Sequence, residues 1–200
     1  MYIFAQNGST DNYELSIFNL SAGGVMTQIN EIQCQEQMPD GDQGIALYSS
    51  GFLYEAQTTD EDQKTTTVYF CYYDFNSSKA LALGTAELST DGLESWSTMA
   101  KYLLDDSNSA AFVRQIQLEN GTTYVQVDTF GFKNESKIKS ASQQFDSTNT
   151  IQVNDNIFAL LYNEAKHDYI GFYSVNATTG ELITKKKLQV DIFKADYDIQ

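Results

Sequence analysis

The sequence predicts an all-β fold, and three features of the chain support this prediction. Thirteen Tyr and twelve Phe accompany many Thr and Val, residue types that favour half-buried strands. Asn, Asp, Ser and Thr cluster between the apolar runs, where turns are expected, and Pro39 is the single proline. An alternating hairpin pattern recurs along the chain. With 200 residues, 42% of them apolar, the chain can bury a substantial core as one domain over residues 1–200.

The hairpin pattern recurs four times. Each copy has an alternating apolar and aromatic run, a short polar turn and a second run, and the copies span 13–32, 67–88, 124–145 and 169–190. The second runs open with apolar residues spaced 55, 57 and 44 positions apart, namely Met26, Leu81, Ile138 and Leu182. One four-stranded propeller blade needs roughly 40 to 50 residues, so the spacing favours a β-propeller of about four blades.

Further strands complete these blades, whose strands we label A to D with the hairpin as C and D. Strand B precedes the hairpin at 2–6, 51–57, 110–118 and 156–162, and strand A is predicted at 44–50, 96–104 and 149–154. The first repeat has no strand A, but the alternating segment DIFKADYDIQ at 191–200 can supply it and close the ring. The blade repeats then span about 1–35, 44–88, 96–145 and 149–190.

Three alternatives to this architecture stay open at the level of sequence. The four blades can be part of a larger propeller. Short strands separated by regular turns are also typical of a β-sandwich. Finally, the spacing of Leu93, Trp96, Ala100 and Leu103 fits a short helix over 92–104 with Asp91 as its N-cap, although we expect a strand there.

In general character the repeats resemble β-propeller blades of the WD40-like and quinoprotein-like superfamilies. VNATTGELI at 175–183 is most similar to the turn between the outer two strands of a quinoprotein-like blade. The chain has no WD dipeptide, and Trp96 is its single tryptophan. The resemblance therefore implies a fold and no particular family or family function.

The charge of the chain limits its partners. Twelve Lys and Arg against 27 Asp and Glu give a net charge of −15, which repels phosphate backbones and anionic lipid headgroups. We therefore expect no nucleic-acid partner. The basic run Lys185–Lys187 is interpreted as a solvated outer strand that discourages edge pairing.

The sequence contains no run of 18 apolar residues that would span a membrane, so we expect a soluble chain with no membrane span. Its start, MYIFAQNGST, lacks the basic and long apolar regions of a signal peptide. Met1 can be the true initiator, or the numbering can begin inside a longer precursor.

No catalytic, cofactor-binding or metal-binding residue is predicted. His167 is the single histidine, and no GxSxG elbow, HExxH motif or glycine-rich phosphate loop occurs. In PDGDQG, Gly44 stands where a calcium loop has its third oxygen ligand. An enzyme would have to use carboxylates gathered at the ends of the A strands, of which the sequence offers Asp40, Asp42, Asp105, Asp106 and Asp155.

Cys34 follows the first D strand, and Cys71 lies in the second C strand. They belong to adjacent repeats, so a disulfide is possible in an exported protein, and two small buried thiols are equally compatible with the sequence.

Asn-x-Ser/Thr triplets are the strongest functional signal. Composition alone predicts about 2.3 such triplets, and the chain has six: Asn7, Asn19, Asn76, Asn120, Asn134 and Asn176. Four of them fall in the predicted C to D turns, where Asn-rich turn chemistry can also place them.

These features favour a non-enzymatic scaffold with protein or glycan partners, as a secreted or cell-surface glycoprotein in a larger assembly. An intracellular propeller subunit of a multiprotein complex, located in the cytoplasm, is the alternative. A glycan-active propeller enzyme using axial carboxylates is the second alternative.

Overall fold

The computed structural model describes residues 2–6, 13–34, 45–60, 62, 64–77, 79–105, 108–132 and 139–190. These residues form strands, turns and bends, and every strand pair among them is antiparallel. The all-β prediction is confirmed. Within the described ranges there is no helix with the length and apolar character needed to cross a membrane.

The first two sheets come from the first half of the chain. The first sheet has three described strands in the order β1-β2-β3: β1 Tyr2–Gln6, β2 Tyr13–Leu20 and β3 Met26–Cys34. The second has four in chain order: β4 Ala46–Leu47, β5 Gly51–Thr59, β6 Thr65–Asp74 and β7 Lys79–Ser89.

The third and fourth sheets repeat this up-and-down order with four strands each. The third consists of β8 Leu93–Leu104, β9 Ser109–Leu118, β10 Thr123–Gly131 and β11 Lys139–Phe145. The fourth consists of β12 Ser147–Asn154, β13 Ile157–Glu164, β14 His167–Val175 and β15 Leu182–Gln189. The predicted closing segment, 191–200, lies outside the described residues.

Residues 93–104 form a strand, so the helix alternative is wrong. Two bulges, between Leu93 and Ser95 and between Thr98 and Ala100, explain the misleading spacing. Each bulge adds one residue, so side chains on one face of the strand fall three positions apart instead of two. Leu93, Trp96 and Leu103 therefore pack in one cluster despite their helix-like spacing.

The third sheet is buried on both faces. Alternate residues of β9 point in opposite directions: Ala110 and Phe112 pack against the second sheet, while Ala111 and Val113 pack against the fourth. Aromatic rings dominate the first interface, where the centroid of Phe70 lies 4.8 Å from that of Phe112 and 5.1 Å from that of Phe130. Three sheets are thus stacked face to face in chain order.

The first strands of these three sheets approach one another at one edge of the stack. The Tyr48 hydroxyl donates a hydrogen bond to the Lys101 carbonyl at 2.7 Å. The Tyr102 and Thr150 hydroxyls share a hydrogen bond of 3.0 Å, and the Asp105 N–H donates to the Asp155 carbonyl at 2.9 Å. Each sheet is therefore tied to the next along its first strand.

At Gly131, the third and fourth sheets come close enough to require glycine. A Cβ atom added there would lie 2.5 Å from the Asn176 carbonyl oxygen and 2.6 Å from that of Ala177. Both carbonyls belong to the β14–β15 turn. Nearby, the Thr129 hydroxyl donates to the Gly180 carbonyl at 2.6 Å, so the turn is held against β10.

Gly131→Ala should lower the free energy of unfolding by about 1–3 kcal/mol, because the new methyl group overpacks this approach. Urea unfolding monitored by tyrosine fluorescence measures the change. Gly23→Ala is the matched control, since a Cβ at Gly23 meets only the Ser21 hydroxyl oxygen at 3.8 Å. Equal stability of the two variants would contradict this packing.

We predict that the protein loses stability at alkaline pH, because half-buried Tyr48 and buried Tyr102 hydrogen-bond between neighbouring sheets. Burial raises the pKa of Tyr48 and Tyr102 above the ordinary value of 10.0. Above pH 10 the unfolded chain loses protons that the folded chain keeps, so stability falls as pH rises. In Tyr102→Phe the free energy of unfolding should fall less steeply with pH, by up to about 1.4 kcal/mol per pH unit. Urea unfolding between about pH 9 and 11.5 measures this slope. An unchanged slope would show that Tyr102 ionises equally in both states.

Candidate functional site: a groove between the third and fourth sheets

A groove lies between the outer strands of the third and fourth sheets. It consists of two adjoining cavities of about 500 and 400 Å³, which share Gln143 of β11 and Thr184 of β15. The first cavity is also lined by Val127, Thr129, Glu181, Leu182 and Ile183. The second is also lined by Gln144, Phe145, Asp146, Tyr162, Asn163, Glu164, Tyr173 and Lys187.

The floor of the groove is aromatic. Phe145 makes edge-to-face contacts with Tyr162 and Tyr173, each with a centroid distance of 5.5 Å. These side chains face the third sheet because β13 and β14 alternate, with Phe158 and Leu160 preceding Tyr162 on the same face. Gly171 leaves room for the Tyr173 ring, which would clash with a Cβ atom at that position. The floor is therefore closely packed.

An ammonium group is held at one end of the groove. The Lys187 nitrogen lies 3.9 Å from the ring centroid of Tyr169 and 5.4 Å from that of Tyr162. It also forms an ion pair with Glu164, and the hydrogen bond to that carboxylate raises the pKa of Lys187. Two tyrosine rings and one carboxylate thus form a site for a cation.

The charged residues that line the groove give it a net negative charge. Asp146, Glu164 and Glu181 contribute three carboxylates against the one ammonium of Lys187. Amides from Gln143, Gln144 and Asn163 and the hydroxyl of Thr184 add donors and acceptors. This arrangement suits recognition of a polar, positively charged ligand.

A second polar feature lies inside the stack, between the second and third sheets. The Arg114 guanidinium is fully buried, and its Nε and Nη2 donate to Asp128 Oδ2 at 3.1 and 2.5 Å. It also lies 5.0 Å from the centroid of the Phe70 ring. Asp128 Oδ1 accepts a further hydrogen bond from Gln126 at 3.1 Å. The charge of Arg114 is therefore balanced inside the interface.

A second buried ion pair occupies the same interface. The Lys101 ammonium lies 3.5 Å from Glu55 Oε2, which also accepts a hydrogen bond from the Thr98 hydroxyl at 2.5 Å. Burial lowers the pKa of Lys101, and attraction to the Glu55 carboxylate opposes that shift. Charged residues at inward positions of apolar strands, Glu55 in β5 and Arg114 in β9, are the sequence signal that could have identified these pairs.

Three of the predicted glycosylation sites lie on described turns, and all six remain predictions. Asn76 and Asn120 are exposed, and the Asn120 side-chain oxygen accepts from the Thr122 N–H at 2.9 Å. Asn176 is half-buried, and its oxygen accepts from Thr178 and Thr179. Asn19 lies in strand β2, while Asn7 and Asn134 fall outside the described residues.

The other predicted site residues are scattered. Asp105 and Asp155 meet through their backbones, whereas Asp40, Asp42 and Asp106 lie outside the described residues. Cys34 ends β3, and Cys71 is buried in β6 of the next sheet, so the disulfide remains a prediction. His167 is exposed at the start of β14. Among the described residues, no three His, Cys, Asp or Glu side chains are grouped to hold a metal.

Comparisons with known proteins reveal structural likeness only. No protein family matches the sequence, and no curated protein matches it significantly. A crystal structure of a protein from Lactobacillus plantarum is 11% identical, over 92% of this chain and 67% of that one, with a TM-score of 0.38. A protein of unknown function from Bacteroides fragilis is 10% identical, over 96% and 93%, with a TM-score of 0.24. Likenesses this weak support no argument about family or function.

The buried Arg114–Asp128 pair predicts a large stability effect. Asp128→Leu should cost about 3–5 kcal/mol of unfolding free energy, because it leaves a buried guanidinium without its carboxylate. The double variant Arg114→Met/Asp128→Leu should cost much less, since neither charge of this pair remains buried. Guanidinium unfolding of Asp128→Leu, Arg114→Met and the double variant, with exposed Glu87→Leu as the control, measures this coupling. A double variant as unstable as the sum of the two single variants would refute it.

Proposed function

We propose that this chain is a β-propeller-type binding module that acts without catalysis, and that the groove between the third and fourth sheets is its binding site. The groove is the observation on which the proposal rests. It has a closely packed aromatic floor, carries charge and is lined by hydrogen-bonding groups, as recognition sites are. One wall of the groove belongs to the third sheet, and this sheet is fixed in place because it packs against a neighbouring sheet on each of its two faces.

The stacking supports a propeller over a β-sandwich. In a two-layer sandwich each sheet has one face on the core and one outward face. Here the third sheet is buried on both faces, as blades within a ring are. The contacts between first strands, through Tyr48 with Lys101 and Tyr102 with Thr150, agree with blades that converge toward an axis.

We further propose that the module belongs to a secreted or cell-surface glycoprotein. The sequon enrichment and the exposure of Asn76 and Asn120 on turns support this part of the proposal. Intact mass of the protein from its native source, before and after amidase release of N-glycans, tests it. An unchanged mass would favour the intracellular scaffold instead.

Blocking the groove should abolish partner binding. Thr184→Trp places an indole where the two cavities join, and the exposed Thr85→Trp in β7 of the second sheet is the matched control. Each protein is used to capture partners from extracts of the native source, followed by quantitative mass spectrometry. We expect partners retained by the wild type and Thr85→Trp to be lost from Thr184→Trp. Retention by all three would show that the groove is not the binding site.

A further inference from the structure

The groove is bounded by two edge strands. β11 ends the third sheet and β15 ends the fourth, so within the described part of the chain each has a neighbouring strand on one side only. Edge strands expose backbone N–H and C=O groups that an extended peptide can pair with. The lysine run Lys185–Lys187 discourages such pairing along β15, so β11 is the edge that offers it. The two cavities adjoin between these edges, sharing Gln143 on one wall and Thr184 on the other. A ligand long enough to occupy both cavities would contact both walls.

The charge of the groove favours a cationic ligand. Asp146 and Glu181 line the walls, and Lys187 offsets only the third carboxylate, Glu164. The chain as a whole has a net charge of −15, which attracts basic segments from a distance.

Lys187 shows how such a ligand is recognised. Its ammonium occupies the site formed by Tyr162, Tyr169 and Glu164. The Glu164 side chain is still 57% exposed and the Lys187 side chain 36% exposed, so both are accessible from solvent. Lysine has a flexible four-carbon stem, so Lys187 can swing out of the site. The site can then accept a cation from another chain.

We propose, on the basis of the proposed function, that the groove binds an extended basic segment of a partner protein. An arginine of this segment takes the place of Lys187 in the site formed by Tyr162, Tyr169 and Glu164. Arginine suits the site better than lysine, because its planar guanidinium stacks on tyrosine rings and pairs with a carboxylate through two hydrogen bonds. Lys187 is then an internal competitor that the partner must displace.

The probes are three octapeptides of alternating residues: arginine with threonine, lysine with threonine, and glutamate with threonine. Binding to the full chain is measured by fluorescence anisotropy at physiological salt, where weak surface attraction is screened. We expect the arginine peptide to bind severalfold more tightly than the lysine peptide, and the glutamate peptide not to bind. Equal binding of the first two would contradict the arginine site.

Two pairs of variants separate site binding from general attraction. Glu164→Gln should weaken binding of the arginine peptide about tenfold, whereas Glu87→Gln, an exposed position in the second sheet, should change it less than twofold. Lys187→Met should strengthen binding severalfold by removing the competitor. Lys186→Met removes the same charge from the opposite face of β15, where Lys186 pairs with Phe172, and should have less than a twofold effect.

The variants also define failure. Equal effects of Lys187→Met and Lys186→Met, or weaker binding by Lys187→Met, would overturn the displacement proposal. If no peptide binds while Thr184→Trp still abolishes partner capture, the groove is a binding site for a different ligand and only the ligand class is wrong. If Thr184→Trp also leaves capture unchanged, both proposals fall.

Discussion

The structure depends on the third sheet having apolar side chains on both faces. In β9, alternate residues enter two different interfaces, so a register slip of one position would exchange the two sets. Arg114 and Asp128 oppose such a slip between β9 and β10, because they meet across one strand pair on the face toward the second sheet. Apolar burial thus holds the three sheets together, and the buried Arg114–Asp128 pair favours one register of β9 against β10.

Buried and exposed ion pairs have different roles in this protein. Arg114–Asp128 and Glu55–Lys101 are buried between two sheets, where each charge needs its partner and neither is accessible to a ligand. Lys187–Glu164 lies at the rim of the groove with both side chains partly exposed, and a pair that water screens contributes little to stability. The two buried pairs therefore contribute to the specificity of packing. The exposed Lys187–Glu164 pair can open, so that Glu164 contacts a partner instead.

The position of the groove follows from how consecutive sheets are joined. Their first strands are held together by hydrogen bonds such as Tyr48 to Lys101, and close approach at Gly131 fixes the β14–β15 turn against β10. The core between the third and fourth sheets is built mainly from β8, β9 and β10 and from β13 and β14, so the outer strands contribute little to it. Space therefore opens between β11 and β15, and side chains such as Gln143 and Thr184 are directed into it.

The sequence by itself determined the strands, because alternation with period two and turn residues act locally. It placed the hairpins, the order of strands within the sheets and the extended state of residues 93–104, although the bulges of β8 concealed its alternation. Only the tertiary structure decided which strand faces meet, that Glu55 reaches Lys101, and that Tyr162, Tyr169 and Lys187 form one site. These contacts join residues of different strands or different sheets, and their distances depend on twist and packing that no local pattern records.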